Sequence, residues 1–201
     1  MSDDGRRYHH GDLRRALIAE GVRAIDEVGP AQVSLRDLAR RAGVSHAAPT
    51  HHFGDKAGLL TAIAVDGYHL LAERLRASWT QDHDFLEVGV AYVLFAVEHR
   101  AHFEVMYRPE LLRVDDPELV EARAKAAAML YGPVSGVTER PPVEAGVAAW
   151  SLVHGLATLW LHGLLPEAVG EDPEALARRV ARFLFQPGRQ PQAQAPQPDE
   201  S

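Results

Sequence analysis

The sequence contains no cysteine. Disulfides, thiol nucleophiles and cysteine-held metals are thereby excluded, and the chain suits a reducing compartment. The phosphate-cradling GxxxxGK[ST], the dinucleotide-binding GxGxxG and the nucleophile elbow GxSxG are all missing. P-loop chemistry, dinucleotide binding and acyl transfer therefore lack support. No apolar leader opens the chain, so nothing points to secretion, and the expected site of action is the cytoplasm. An excess of basic charge is missing as well, with a net charge of −7. That charge is unevenly spread. Residues 1–60 carry nine Arg or Lys against eight Asp or Glu, and residues 61–201 carry twelve against twenty. The first part is near neutral and holds five histidines and the cluster Arg36, Arg40 and Arg41. A moderately basic face on an acidic body would bind DNA through local contacts with a strong salt dependence. What remains, 46% hydrophobic and 24% charged over 201 residues, is ordinary for one or two soluble domains.

The most informative stretch is VSLRDLARRAGVSHAAPTHHF, Val33 to Phe53. Ser34 is an N-cap residue with Asp37 three positions on, a capping-box spacing. Leu35, Leu38, Ala39 and Ala42 share one helical face. Gly43 stops that helix, Val44 is the apolar residue of the turn, and Ser45 is expected to cap a second short helix. This is a helix-turn-helix pattern. It is either an αα-hairpin within a helical domain or a DNA-reading element. In the second case His46, Ala47, Ala48, Thr50, His51 and His52 are the side chains available to a major groove.

The longer run from Tyr8 to Ile63 includes the leading helix, Ala42-Gly43-Val44-Ser45, and His52-Phe53-Gly54-Asp55-Lys56 opening the next helix. It resembles the DNA-binding domain of TetR-family regulators. Two positions depart from the common family pattern. Pro49 lies inside the short recognition helix, where it forgoes a bond to Ser45. Thr50 stands where an aromatic is usual, so that aromatic's contact is not carried over, and Thr50 can instead touch a thymine methyl or a phosphate.

In chain order, residues 1–7 read as a polar arm, either reaching DNA or merely solvated. A helix from about Asp12 to Val28 ends at Gly29-Pro30. Asp55 caps a helix running to about Trp79, long enough to join two domains. Lys56 in its first turn is either a phosphate contact or a solvated lysine, and the resemblance favours the phosphate. Further helices are expected over Phe85 to Glu98, Ala101 to Tyr107, Pro117 to Tyr131, Val143 to Leu165, and from Pro173. Gly132-Pro133 and Pro141-Pro142 bracket a loop, and the chain from Pro187 is Pro/Gln-rich and reads as disordered. The fold class expected is all-α, with domains at 1–54 and 55–186 and a tail at 187–201.

Ala145 to Pro166 contains no charged residue. The length would span a bilayer. Its serine, threonine, histidines and glycines, with no basic anchors at the ends, favour a helix buried on both sides instead. One side would pack in its own domain and the other against a second copy, making residues 143–185 a homodimer interface that includes Leu176 and Phe183. Trp150-x-x-x-His154-Gly155 resembles the signature of the WHG type of TetR C-terminal domain. The resemblance implies dimerisation and an inducer pocket.

Tyr68, Tyr92, Phe95, His99, Phe103, Tyr107, Trp150 and His154, with Met106 and Met129, form an aromatic and methionine-rich set. They are either core or the apolar lining of that pocket. His99 and His102 share a helix face, but no further ligand set accompanies them, so no metal and no cofactor are expected. The combined expectation is a homodimeric, ligand-responsive repressor on a near-palindromic operator, with Ser45 to His52 in the major groove and Tyr8, Ser34, Arg36 and Lys56 on the backbone. The alternatives are an activator of the same family, or a helical small-molecule-binding protein or enzyme without DNA function.

Overall fold

The computed structural model describes residues 4–79, 85–131 and 142–185, with side chains described over 13–79, 85–130 and 143–182. The bracketed loop at 132–141, the tail at 187–201 and the side chains of Tyr8 and Phe183 lie outside the described residues. The described chain is helical without strands. It runs α1 (Asp4–Val28), α2 (Leu35–Arg41), α3 (Ala47–Phe53), α4 (Lys56–Ser78), α5 (Phe85–Glu98), α6 (Arg100–Met106), α7 (Pro117–Tyr131), α8 (Pro142–Leu161) and α9 (Pro173–Phe185). Short 3-10 turns at Pro109–Leu111 and Glu167–Val169 precede α7 and α9.

Local signals place most helix ends. α1 stops at Gly29, whose φ of 76° only glycine adopts cheaply. Ser34 sits in the extended region and its Oγ accepts from the Asp37 amide at 3.2 Å. After α2, Gly43 at φ 65° donates to the Arg40 carbonyl, and Val44 donates to that of Ala39. This pair of bonds is a Schellman stop. Asp55 accepts from the Gly58 amide at 2.9 Å and so caps α4.

Three expectations about these ends are corrected. α1 begins at Asp4, not near Asp12; no proline interrupts residues 4–12, and Gly5 and Gly11 are tolerated within a helix at modest cost. Ser45 makes no side-chain cap; α3 starts at Ala47 after His46, and Ser45 contributes only its carbonyl, bonded to the Ala48 amide at 3.0 Å. Pro49 therefore falls in the first turn, where its missing N–H costs no intrahelical bond. α8 ends at Leu161, four residues before the expected end, because Gly163 takes φ 64°.

α1 and α3 pack on the front of α4, and α2 packs on α1 and α3, around Leu17, Ile25, Leu38, Phe53, Leu59 and Ile63, all buried. The remaining length of α4 is embedded among α5, α6 and α7. One helix of about 35 Å, at about 1.5 Å per residue, thus belongs to both halves of the molecule. α5 is sandwiched by α8 and α9 on its other side.

α8 has two faces. Ala149, Val153, Leu156 and Ala157 are buried against α5 and α9, whereas Val143 (73% exposed), Val147 (46%) and Leu159 (42%) face outward. α9 turns Leu176, Ala177 and Ala181 inward. Leu176 is thus a core residue of its own protomer, a correction to its placement in the interface. No helix among the described residues is long and apolar enough to cross a membrane.

Candidate nucleic-acid interface and ligand cavity

α3 is anchored by Pro49 and Phe53, one turn apart and both buried. The Arg14 guanidinium lies 5.8 Å from the Phe53 ring. Burial of that face leaves His46, Ala47, Thr50 and His51 on the opposite one, all exposed. Ser34, Arg36 and Ser45 are also exposed. Ala48 and His52 are half-buried, and His52 lines a narrow cleft of about 110 Å³ with Arg14, Phe53, Thr61 and Arg113. The structure thus leaves seven of the expected DNA-facing positions exposed and turns Ala48 and His52 partly away.

The expected arginine cluster is not a free basic face. Arg40 and Arg41 each bind the Asp37 carboxylate at 2.6 Å, and Arg41 also binds Glu27 at 2.7 Å. Arg40 first, and then Arg41, hold the Asp37 carboxyl below the usual carboxylate range. The capping box is half-used for the same reason: the carboxylate that would return to Ser34 is taken by arginines. Arg36 is exposed and makes no ion pair among the described residues. Lys56 is half-buried, and its Nζ donates to the Ala31 carbonyl at 2.5 Å. It ties the start of α4 to the turn before α2.

Inside the second half lies a cavity of about 380 Å³. Tyr68 and Leu71 of α4, Met106 and Tyr107 at the end of α6, Pro109, and Trp150 of α8 form one part of its wall. Arg123, Ala126, Ala127 and Leu130 of α7 form the rest. The Tyr68 hydroxyl donates to the Met106 carbonyl at 3.0 Å, and burial pushes its pKa up, so it stays protonated.

Behind the wall Tyr92 is a hub. Its hydroxyl accepts from Trp150 Nε1 at 3.1 Å and lies 2.8 Å from the Tyr107 hydroxyl and 2.9 Å from His154 Nδ1. Burial pushes the His154 pKa down, which keeps the ring neutral and able to accept a bond. The His154 ring packs edge-on to Tyr107 with centroids 4.6 Å apart. This network fixes the two rings, Trp150 and Tyr107, that face the cavity.

The sequence-derived ligand set therefore divides. Tyr68, Tyr107 and Trp150 line the cavity. His154 supports them from behind. Tyr92, Phe95 and Phe103 are buried core, a correction to their place in the lining. His99 is also corrected: it sits at the α5–α6 junction against Phe95 and His102, outside the lining. His102 Nε2 lies 3.1 Å from Asp66, and no group of three or more potential metal ligands occurs among the described residues. Arg123 was missed by sequence reasoning. The signal was present: residue 123 lies within the inward stripe of Leu119, Ala122, Ala126 and Leu130, where a charge is out of place.

A second loop links cavity and recognition helix. Pro109 borders the cavity, and four residues on, the Arg113 amide donates to Thr61 Oγ1 at 2.9 Å. The Arg113 guanidinium binds Asp55, the cap of α4, at 2.9 Å. That corner immediately follows α3.

Residues 17–63 match the family described as bacterial regulatory proteins, tetR family. Residues 85–184 match the family described as tetracyclin repressor-like, C-terminal domain. The HTH-type transcriptional regulator BetI 2 of Chromohalobacter salexigens is 49% identical over 190 residues, covering 85% of this chain and 84% of the relative. BetI of Stenotrophomonas maltophilia is 43% identical over 187 residues, covering 84% and 88%. A solved structure of a protein of unknown function from Rhodococcus sp. RHA1 shares 30% identity with a TM-score of 0.76, over 91% of this chain and 98% of that one. The TetR family transcriptional regulator PfmR from Thermus thermophilus, 21% identical over 85% of this chain and 97% of that one, has the same fold with a TM-score of 0.68. With an exposed helix-turn-helix at one end, an apolar cavity at the other and both halves matched, this chain belongs to the TetR family of DNA-binding transcriptional regulators, not to an enzyme family.

Proposed function

We propose that the protein is a homodimeric cytoplasmic repressor whose operator affinity is lowered by a small molecule bound in the cavity. The observation that carries this reading is that α4 both walls the cavity and is separated from the end of α3 by only two residues. A ligand that favours one tilt of α4 changes the separation of two reading heads, which must match half-sites about 34–36 Å apart. It lowers affinity only by its differential binding to the two states. The outward apolar face of α8, with α9 beside it, would meet the same face of a second copy about a two-fold axis. The operator is then near-palindromic.

His46, Ala47, Thr50 and His51 are the base-facing positions in this reading, with Ser34, Arg36 and the Tyr8 segment on the backbone. Lys56 positions the α4 start and can share a phosphate. The test is selection from a randomised operator library. Thr50→Ala and His51→Ala are expected to change the preferred bases and to lower overall affinity by about 5- to 150-fold, since one base contact is worth about 1–3 kcal/mol. Unchanged preference in both variants would remove α3 as the reading element. Transcript levels of the bound genes after deletion decide sign: a rise supports repression and a fall indicates activation.

The Arg113–Asp55 pair offers a second path from cavity to α3. Arg113→Ala is expected to keep operator affinity within a few-fold, because the pair is exposed and such pairs are worth about 0–1 kcal/mol. The same change should reduce the ligand-induced loss of operator affinity. Equal responses in variant and wild type, read by fluorescence anisotropy, would leave α4 as the sole route.

A further inference from the structure

We propose that the cavity takes a small organic anion, its acid group on Arg123 and its apolar or aromatic body against Leu71, Leu130 and Trp150. This rests on the reading of the cavity as the regulatory ligand site and names the chemical class of that ligand.

Among the described lining residues, Arg123 carries the only formal charge. Its Nε is buried and has no hydrogen-bond partner. It makes no ion pair among the described residues, although α7 is rich in acids. Glu121 binds Lys125 at 2.6 Å instead, and Glu118 faces Arg14 at 3.8 Å. Beside the guanidinium is Tyr68, with its ring centroid 5.8 Å from Arg123 Cζ and its hydroxyl oxygen within reach as an acceptor. A neutral phenol that gives its proton to the Met106 carbonyl can accept a bond from the guanidinium but cannot neutralise its charge. A guanidinium facing an apolar cavity without its counter-ion is an incomplete pair.

A carboxylate is the matching half. It accepts two parallel N–H bonds from the guanidinium fork, and the low-dielectric wall strengthens the attraction. A cation would meet uncompensated repulsion at the same place. A neutral molecule would leave the charge as it is. The volume of about 380 Å³ admits a small molecule rather than a peptide. Trp150 Nε1 already donates to Tyr92, so its indole offers the ligand a face for stacking.

The experiment titrates the whole chain with benzoate, 1-naphthylacetate and decanoate. Each is compared with its primary amide, and benzyltrimethylammonium serves as the cation. Calorimetry gives affinity, and operator anisotropy in the same solutions gives the response. At least one acid is expected to bind about tenfold or more tightly than its amide, the worth of one charge-assisted bond. Arg123→Gln should abolish that preference, and Arg123→Lys should keep part of it, with thermal melting confirming that both fold. Equal affinity of acids and amides, preference for the cation, or an acid preference that survives Arg123→Gln would overturn the assignment. An amide that binds equally well and still releases the operator overturns the anion class alone. Absence of binding by every probe at millimolar concentration overturns the cavity as ligand site together with it.

Discussion

Val147→Asp is expected to convert the proposed dimer to a folded monomer and to lower operator affinity by about 10²–10⁴-fold, the usual worth of linking two binding modules. Val147 is 46% exposed on the outward face of α8 in the single chain. An aspartate there costs an isolated protomer little, since its carboxylate stays in water. In a two-fold interface the same substitution enters from both copies and leaves charges buried without partners. Sedimentation at micromolar concentration should give a monomer with near wild-type circular dichroism. The variant's Tm should cease to depend on protein concentration, as expected once folding is uncoupled from association. A Val147→Asp protein that still sediments as a dimer would place the interface away from α8. Leu176→Asp is a poor substitute for this test, because Leu176 is buried in its own protomer and its loss would unfold the bundle.

Tyr92→Phe should be the most damaging single-atom deletion in the second half. The Tyr92 side chain is fully buried, and its hydroxyl serves Trp150, Tyr107 and His154 at once. Removing it leaves three polar groups without that partner. Each unsatisfied buried group costs about 1–3 kcal/mol, but Trp150, Tyr107 and His154 are only half-buried, so water can replace part of the loss. A net destabilisation of about 2–4 kcal/mol is expected, at about 2–4 °C of Tm per kcal/mol for a protein of this size. Ligand affinity should fall as well, because the rings of Trp150 and Tyr107 lose the bond that orients them. A Tm within one degree of wild type would show that the hub is not what holds these rings. Phe95→Leu, a core change of similar burial away from the hub, separates the two effects: it should lower Tm with little change in ligand affinity.

The helix-turn-helix was legible because its determinants are local. Ser34, Gly43 and Asp55 act within a few residues of themselves, through an amide three positions on or through a backbone angle that only glycine adopts easily. The same holds for Pro117 and Pro173, each at the first position of its helix. The apolar stripes of α4 and α5 were legible for a related reason: helical periodicity is written in the sequence and needs no partner to be read.

What the sequence alone left open is which partner each side chain meets. Arg40 and Arg41 look like a DNA-facing cluster until Asp37 and Glu27 are brought beside them. Lys56 looks free until the turn at Ala31 comes within reach, 25 positions away in the chain. An aromatic residue on an inward stripe is core or cavity lining according to what α7 and α8 leave unfilled. That packing kept Tyr68, Tyr107 and Trp150 at the cavity and sealed Tyr92, Phe95 and Phe103 behind it. Helix ends and periodicity depend on neighbours in sequence, so composition and spacing determine them. Charge pairing, the division of α8 into inner and outer faces, and the lack of an acidic partner for Arg123 among the described residues depend on contacts between distant segments, which only the tertiary structure decides.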